Sequence, residues 1–244
     1  MDAPEGIPII LLPGMDGTGE LLRALADQLS LYRPVQLIAY PPDRPLGYAQ
    51  LVTYVRERVP NRPFAVLGES FSGPIAIEIA ATDPRAVGLV LASSFARHPL
   101  PALFTVLTRL LDLRWLPKRI IAAALMGSTA TPELTARLRR VLATLPHKVL
   151  QYRAREVLRV DKRNRLREVT CPVMCLQGRF DRLVSKRQVD EILTAQPRCH
   201  VHWFDSSHML LATHPDAAVK AINQFCEHID KRGSAIPGTE IHYL

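Results

Sequence analysis

Three side chains have the types and the placement needed for nucleophilic chemistry. The first is Ser70, in Gly68-Glu69-Ser70-Phe71-Ser72-Gly73. The apolar run Phe64-Ala65-Val66-Leu67 leads into it, and a run with helical spacing leaves it. A serine at such a strand-to-helix turn is held out from the sheet, beside the positive end of the helix. The second is Asp181, in Gln177-Gly178-Arg179-Phe180-Asp181, and the third is His208, in Asp205-Ser206-Ser207-His208. A serine hydroxyl is a poor nucleophile until a base takes its proton. An imidazole does this near neutral pH, and a carboxylate fixes the imidazole tautomer and stabilises the imidazolium. The imidazolium then protonates the leaving group. Acyl transfer also needs donors aimed at the oxygen of the tetrahedral intermediate. The backbone N–H of Phe71 supplies one. The glycine-rich loop Gly14-Met15-Asp16-Gly17-Thr18-Gly19 supplies the other, assigned to the N–H of Met15 with that of Asp16 as the alternative.

The elements that must position these groups alternate along the chain. Short runs at 8–12, 34–39, 64–67, 87–92, 172–176 and 200–204 read as strands, the first of them as one buried on both faces. Helical spacing fills 20–29, 48–59, 74–82, 185–196 and 215–229, with Pro74 tolerated in a first turn and Ser185 expected to cap its helix. This order predicts an α/β protein with a doubly wound, six-stranded parallel sheet and right-handed crossovers. Ser70, Asp181 and His208 each follow a strand, where such sheets place their sites. Among the eight histidines, His208 alone follows a strand and precedes the last helix. Asp205, three residues before it, is the rival acid and is read as support for the loop. Glu69 is read as facing solvent or the cover over the site, and receives no catalytic role. Residues 231–244 read as a loose tail.

The strand rhythm breaks between 97 and 168, which reads as an inserted helical lid; residues 1–96 and 169–244 form the core. Helical patterns occupy 103–111, 119–126, 132–145 and 148–160. Leu103, Phe104, Leu107, Leu110, Trp115, Leu125 and Met126 are either acyl- or alcohol-pocket lining or the lid's own core. This segment also holds the chain's basicity. It contains 16 Lys and Arg against 5 Asp and Glu, while the rest holds 15 against 18; the net charge is +8. Such a segment is a solvated face or a docking surface for an anionic partner. No nucleic-acid motif accompanies it, so nucleic acid is not expected as a partner. Hydrophobic residues make up 48% of the chain, which excludes a disordered class. No apolar run approaches the roughly 20 residues that span a bilayer. Asp2 and Glu5 do not read as a secretory start. Cys171, Cys175, Cys199 and Cys226 follow no metal or redox spacing and are read as reduced, in a cytoplasmic protein. Neither a metal nor a cofactor is expected.

Taken together, LLPGMDGTG, LGESFSG, QGRFDRLV and DSSHMLLATHPDAAVKAINQF resemble the α/β-hydrolase superfamily over nearly the whole chain. More narrowly, the size and lid position are similar to those of small carboxylesterases of the pimeloyl-carrier-protein methyl ester esterase type. The loop LPGMDGTG also resembles that of plant esterase, lipase and acyltransferase relatives. The resemblance implies an α/β-hydrolase fold with a helical lid, a Ser70–Asp181–His208 triad and a small-molecule ester substrate. It also implies an acidic or carrier-bound acyl group received at the basic lid. The chain departs from the pattern in having Pro13-Gly14 where many relatives have His-Gly, and Ser72 where a glycine is usual. The expected activity is hydrolysis of a carboxylic ester through an acyl-enzyme. The same triad serves an acyltransferase or a thioesterase, and a scaffold of this kind also serves non-catalytic binding proteins.

Overall fold

The computed structural model describes residues 5–99, 125–127 and 131–234. Among them lie six strands: β1 (Ile9–Leu12), β2 (Val35–Leu37), β3 (Phe64–Glu69), β4 (Ala86–Ala92), β5 (Val173–Gly178) and β6 (His200–Phe204). They form one sheet in the order β2-β1-β3-β4-β5-β6, and every pairing is parallel. The helices between them are α1 (Arg23–Leu29), α2 (Tyr48–Arg56) and α3 (Gly73–Thr82), then α4 (Pro132–Ala143), α5 (His147–Val157) and α6 (Arg163–Glu168). After β5 come α7 (Lys186–Ala195), α8 (Leu210–Thr213) and α9 (Pro215–Ser234). The six-stranded parallel sheet is the one that the sequence pattern predicts. Helix α9 runs further than expected and takes in the first residues of the presumed tail. The helical patterns over 103–111 and most of 119–126 lie outside the described residues.

Successive side chains on a strand point to opposite faces, and both faces of this sheet are covered. Ile10, Leu12, Val66, Leu89, Leu91 and Cys175 pack on one side with Leu51 and Val55 of α2, Ile75 and Ile79 of α3, Leu166 of α6 and Val189 of α7. Ile9, Leu11, Ala65, Leu67, Val90 and Leu176 pack on the other with Leu25 and Leu29 of α1 and Ile222 and Cys226 of α9. This is why β1, β3, β4 and β5 are nearly continuously apolar, whereas the edge strand β6 alternates the exposed His200 and His202 with Val201, Trp203 and Phe204. Each such side chain contributes about 1.5–3 kcal/mol by leaving water.

Val157, Val160 and Leu166 join the first of these cores, so the end of the basic segment belongs to the helical layer beside α3 and α7. Further out, Leu138 and Val141 of α4 pack with Leu21, Met126 and Met209. The strand order reverses between β1 and β3, whose carboxyl ends are paired at Leu12 and Gly68. A ligand site in an open α/β sheet sits in the crevice at that reversal.

Candidate active site

Strand β3 ends at Glu69, and the chain turns at once through the 3-10 turn Ser70–Ser72 into α3. The turn is sharp because Ser70 has φ +47°, a left-handed conformation that non-glycine residues rarely adopt. Gly68 makes the turn possible: a Cβ there would lie 2.6 Å from the carbonyl oxygen of Ser72. The Ser70 carbonyl accepts a hydrogen bond from the Ser94 hydroxyl at 2.6 Å, which ties the apex to the segment after β4.

Strands β5 and β6 deliver the other two groups. The loop after β6 brings His208 Nε2 to 2.8 Å from Ser70 Oγ, and His208 Nδ1 lies 2.8 Å from Asp181 Oδ2. The Asp181 carboxylate is buried and held from every side. Its Oδ1 accepts the N–H groups of Leu183 and Val184, both at 2.9 Å, and Oδ2 also accepts Gln177 Nε2 at 3.2 Å. Those donors fix the direction of the carboxylate. The rival acid does not reach the imidazole: Asp205 is 78% exposed and pairs with Arg179 at 3.0 Å.

The loop after β1 approaches the same point. Gly17 N–H donates to the Gly14 carbonyl at 3.0 Å, closing a turn around Met15 and Asp16. The Asp16 carboxylate accepts both the N–H and the hydroxyl of Thr18. Gly14 N–H donates to Glu69 Oε2 at 3.1 Å. With those amides engaged, the N–H groups of Met15 and Asp16 are the donors of this turn that have no internal acceptor among the described residues. Phe71, in the 3-10 turn that leads into α3, is buried against Tyr48, whose ring stacks on it at 4.9 Å. A hydroxyl bonded to an imidazole, an imidazole bonded to a buried carboxylate and two open amide donors are together the equipment of acyl transfer.

A family model described as the alpha/beta hydrolase family matches residues 9–221. The chain belongs to the alpha/beta hydrolase family. It is similar to the pimeloyl-[acyl-carrier protein] methyl ester esterase of Aeromonas salmonicida (strain A449), 26% identical over 245 aligned residues that cover 91% of this chain and 96% of that protein. It is also similar to phytyl ester synthase 1, chloroplastic, of Arabidopsis thaliana, 33% identical over 118 residues, which are 43% of this chain and 16% of that protein. The crystal structure of an enol-lactonase from Burkholderia xenovorans LB400 shares the fold with a TM-score of 0.78 at 18% identity, over 92% of each chain.

This alpha/beta hydrolase compensates for its unusual motif residues locally. Pro13 has no N–H, and its carbonyl accepts the Ser72 hydroxyl. Tyr40 lies 2.5 Å from the same Ser72 oxygen. Since the serine proton is directed at Pro13, the Tyr40 hydroxyl is the donor of that second bond. Burial pushes the Tyr40 hydroxyl far above its ordinary pKa, so it keeps its proton. Ser72 thus replaces a spacer glycine with a two-way clamp between the serine turn and the β1 loop.

The sequence gives Glu69 no catalytic role and faces it to solvent or to the cover over the site. The structure leaves it partly exposed and adds a contact: its carboxylate accepts the Gly14 N–H, and burial, aided by Asp16, pushes its carboxyl up to about 7 against the pull of His208 and the Gly14 N–H. Ser185 stands at the N-cap of α7, as expected, but its hydroxyl donates to Gln188 Oε1 at 2.9 Å instead of accepting a helix N–H.

Of the apolar residues assigned to the segment over the site, Leu125 and Met126 are described. Met126 is fully buried, and its carbonyl accepts the Ser207 hydroxyl at 2.7 Å, next to His208. A separate groove of about 1000 Å³ lies at the opposite ends of the strands, among Gly6, Arg62, Pro84 and Thr170. It shares no residue with this site.

Proposed function

We propose that the chain is a serine hydrolase that cleaves a carboxylic ester through an acyl-enzyme on Ser70. His208 takes the Ser70 proton as the hydroxyl oxygen attacks the ester carbonyl. Asp181 orients the imidazole and stabilises its charged form. The amides of Phe71 and Met15 receive the oxyanion. His208 then protonates the leaving alkoxide, and a water activated by the same imidazole releases the acid. The observation that carries this is the pair of 2.8 Å contacts from His208 to Ser70 and Asp181, met at a serine with φ +47°.

The substrate class is drawn from charge. Arg139 and Arg140 of α4, Lys148 and Arg155 of α5, and Arg159 just after it are exposed. Together with likeness to an esterase whose name gives an acyl-carrier-protein substrate, they favour a small ester with an acidic or carrier-bound acyl group. Solvent-exposed cations act mainly through encounter rate and fade with salt. Turnover of an acidic ester should therefore fall with rising salt more steeply than that of a neutral one. Equal salt dependence for the two would remove the charge argument.

A second assignment has its own support. Likeness to a protein named an ester synthase favours transfer of the acyl group to an alcohol, with the same triad. Adding graded alcohols to the assay and measuring ester product against free acid distinguishes transfer from hydrolysis. The deciding experiment for either is labelling by a fluorophosphonate located by mass. Label on Ser70, lost in Ser70→Ala and His208→Ala, is expected; an unlabelled, inactive protein would instead mark a binding protein on this scaffold. We further assign the chain to the cytoplasm, on the strength of its four unpaired cysteines. No helix among the described residues is long and apolar enough to cross a membrane.

A further inference from the structure

Helix α5 presents Val149, Arg153 and Val157 on its buried side. The valines suit that side, and Arg153 does not, yet Arg153 is fully buried. Its Nη1 donates to the carbonyl oxygens of Met15 at 2.9 Å and Asp16 at 2.7 Å, and its Nη2 to that of Pro41 at 3.3 Å. Its guanidinium lies 5.6 Å from the centre of the Tyr40 ring. At Gly17, with φ +71°, a Cβ would collide with this guanidinium, so the loop is shaped around it. Burying a cation is costly unless it is well paired. Among the described residues no carboxylate bonds to it, and the acceptors are main-chain carbonyls, two in the β1 loop and one at Pro41 beyond β2.

The trans peptide explains what this achieves. In each peptide unit the C=O and N–H point in opposite directions. Gly17 N–H occupies the Gly14 carbonyl, and Arg153 occupies those of Met15 and Asp16. Each carbonyl opposes the N–H of the next residue, so Arg153 turns the N–H groups of Asp16 and Gly17 away from itself, and the Gly17 N–H, held on the Gly14 carbonyl, in turn sets the direction of the Met15 N–H. The same helix also supports the second donor. Glu156 Oε2 accepts the Tyr48 N–H at 3.1 Å, and the Tyr48 ring stacks on Phe71.

We propose that Arg153 is a positioning residue for the oxyanion hole: a buried cation, delivered by a helix of the basic segment, that locks the Met15–Asp16 and Asp16–Gly17 peptides and so fixes the N–H of Asp16 directly and that of Met15 through the Gly17–Gly14 bond. This rests on the ester-hydrolase assignment above. Arginine suits the task because its planar fork reaches several fixed acceptors at once, which a lysine ammonium does not.

The test compares full-length wild type with Arg153→Met and Arg153→Lys. The readouts are kcat and KM on a p-nitrophenyl ester, inhibition by a trifluoromethyl ketone of matched chain length, and amide hydrogen exchange over residues 14–18. Folding is checked by circular dichroism and thermal melting. A misdirected oxyanion donor should lower kcat by about 10–100-fold, short of the full loss of a donor. KM should stay within about 3-fold, since the ground-state ester leans little on these amides. The inhibition constant should rise in step with the fall in kcat, and the 14–18 amides should exchange faster. Arg153→Lys should fall between wild type and Arg153→Met.

A folded Arg153→Met with unchanged kcat and inhibition constant overturns the proposal, as does a loss confined to KM. If Arg153→Met does not fold, Arg153→Lys decides on the same criteria. If wild type itself neither turns over esters nor labels at Ser70, the hydrolase assignment is what fails. Hydrogen exchange then still judges Arg153: unchanged protection of 14–18 in the folded variant would refute the loop-holding role.

Discussion

Replacing Glu69 by glutamine should make the protein more stable at alkaline pH, although the substitution removes a charge that accepts a hydrogen bond. The new side-chain amide keeps an oxygen for the Gly14 N–H, so the geometry of the contact survives. Burial, with Asp16 close by, raises the Glu69 carboxyl from 4.5 to about 7. Between those values the unfolded chain has released the proton while the folded chain still holds it. The unfolded state then binds fewer protons, so stability falls as pH rises through this window and levels off above about 7.

The full rise converts to roughly 3 kcal/mol at about 1.36 kcal/mol per pH unit. The side chain keeps partial contact with solvent, which screens the effect and leaves about 1–3 kcal/mol. Urea unfolding of wild type and Glu69→Gln at pH 5 and pH 8 measures it, because every other titrating group cancels in the difference. The variant should gain about 1–3 kcal/mol on wild type between the two pH values. A difference that stays constant within about 0.5 kcal/mol would refute the burial argument, because Glu69 would then ionise as it does in water.

Other expectations follow from the same contacts. Ser72→Ala strands the Pro13 carbonyl and the Tyr40 hydroxyl, at about 1–3 kcal/mol for each buried group left unpaired, seen as a melting temperature lower by roughly 4–24 °C. Adding Tyr40→Phe to it should cost less than Tyr40→Phe alone costs in wild type, because the stranded hydroxyl is removed; a strictly additive cycle would deny the shared bond. Asp181→Asn should lower kcat by about 10⁴-fold with the fold intact, as expected when an imidazole loses the carboxylate that fixes its tautomer. Asp205→Asn, at an exposed ion pair with Arg179, should change stability by less than about 1 kcal/mol and leave kcat alone. Gly68→Ala should fail to fold stably, since the new methyl group meets the Ser72 backbone at 2.6 Å, and thermal melting would report it.

The sheet was legible because its information is local. Ile9-Ile10-Leu11-Leu12 can only be a doubly covered strand, and Pro13-Gly14 can only end it. Ser70, Asp181 and His208 were legible because each sits just beyond such a strand. What escaped were residues whose meaning depends on a distant partner. Glu69 reads as an ordinary polar end to β3 until the β1 loop places Gly14 beside it. Ser72 reads as an imperfect glycine until Pro13 and Tyr40 are seen around its hydroxyl. Arg153 did leave a trace, as the lone cation on the stripe Val149, Arg153, Val157, four residues apart. That trace was hidden among 16 basic residues of one segment, most of which sequence reasoning had assigned to a solvated or docking face. Arg137, on α4, was hidden in the same way; its guanidinium donates to the Glu20 carbonyl just beyond the β1 loop.

These long reaches in sequence set the order in which the protein is completed during its synthesis. His208 follows the Ser70 that it contacts by 138 residues, and Arg153 follows Met15 by the same interval. At about 5–20 residues per second, Ser70 is made roughly 7–28 s before His208. On the function proposed above, a chain that stops short of His208 carries Ser70 without its base. Its hydrolytic capacity then waits for β6 to join the sheet, because the loop after that strand holds His208.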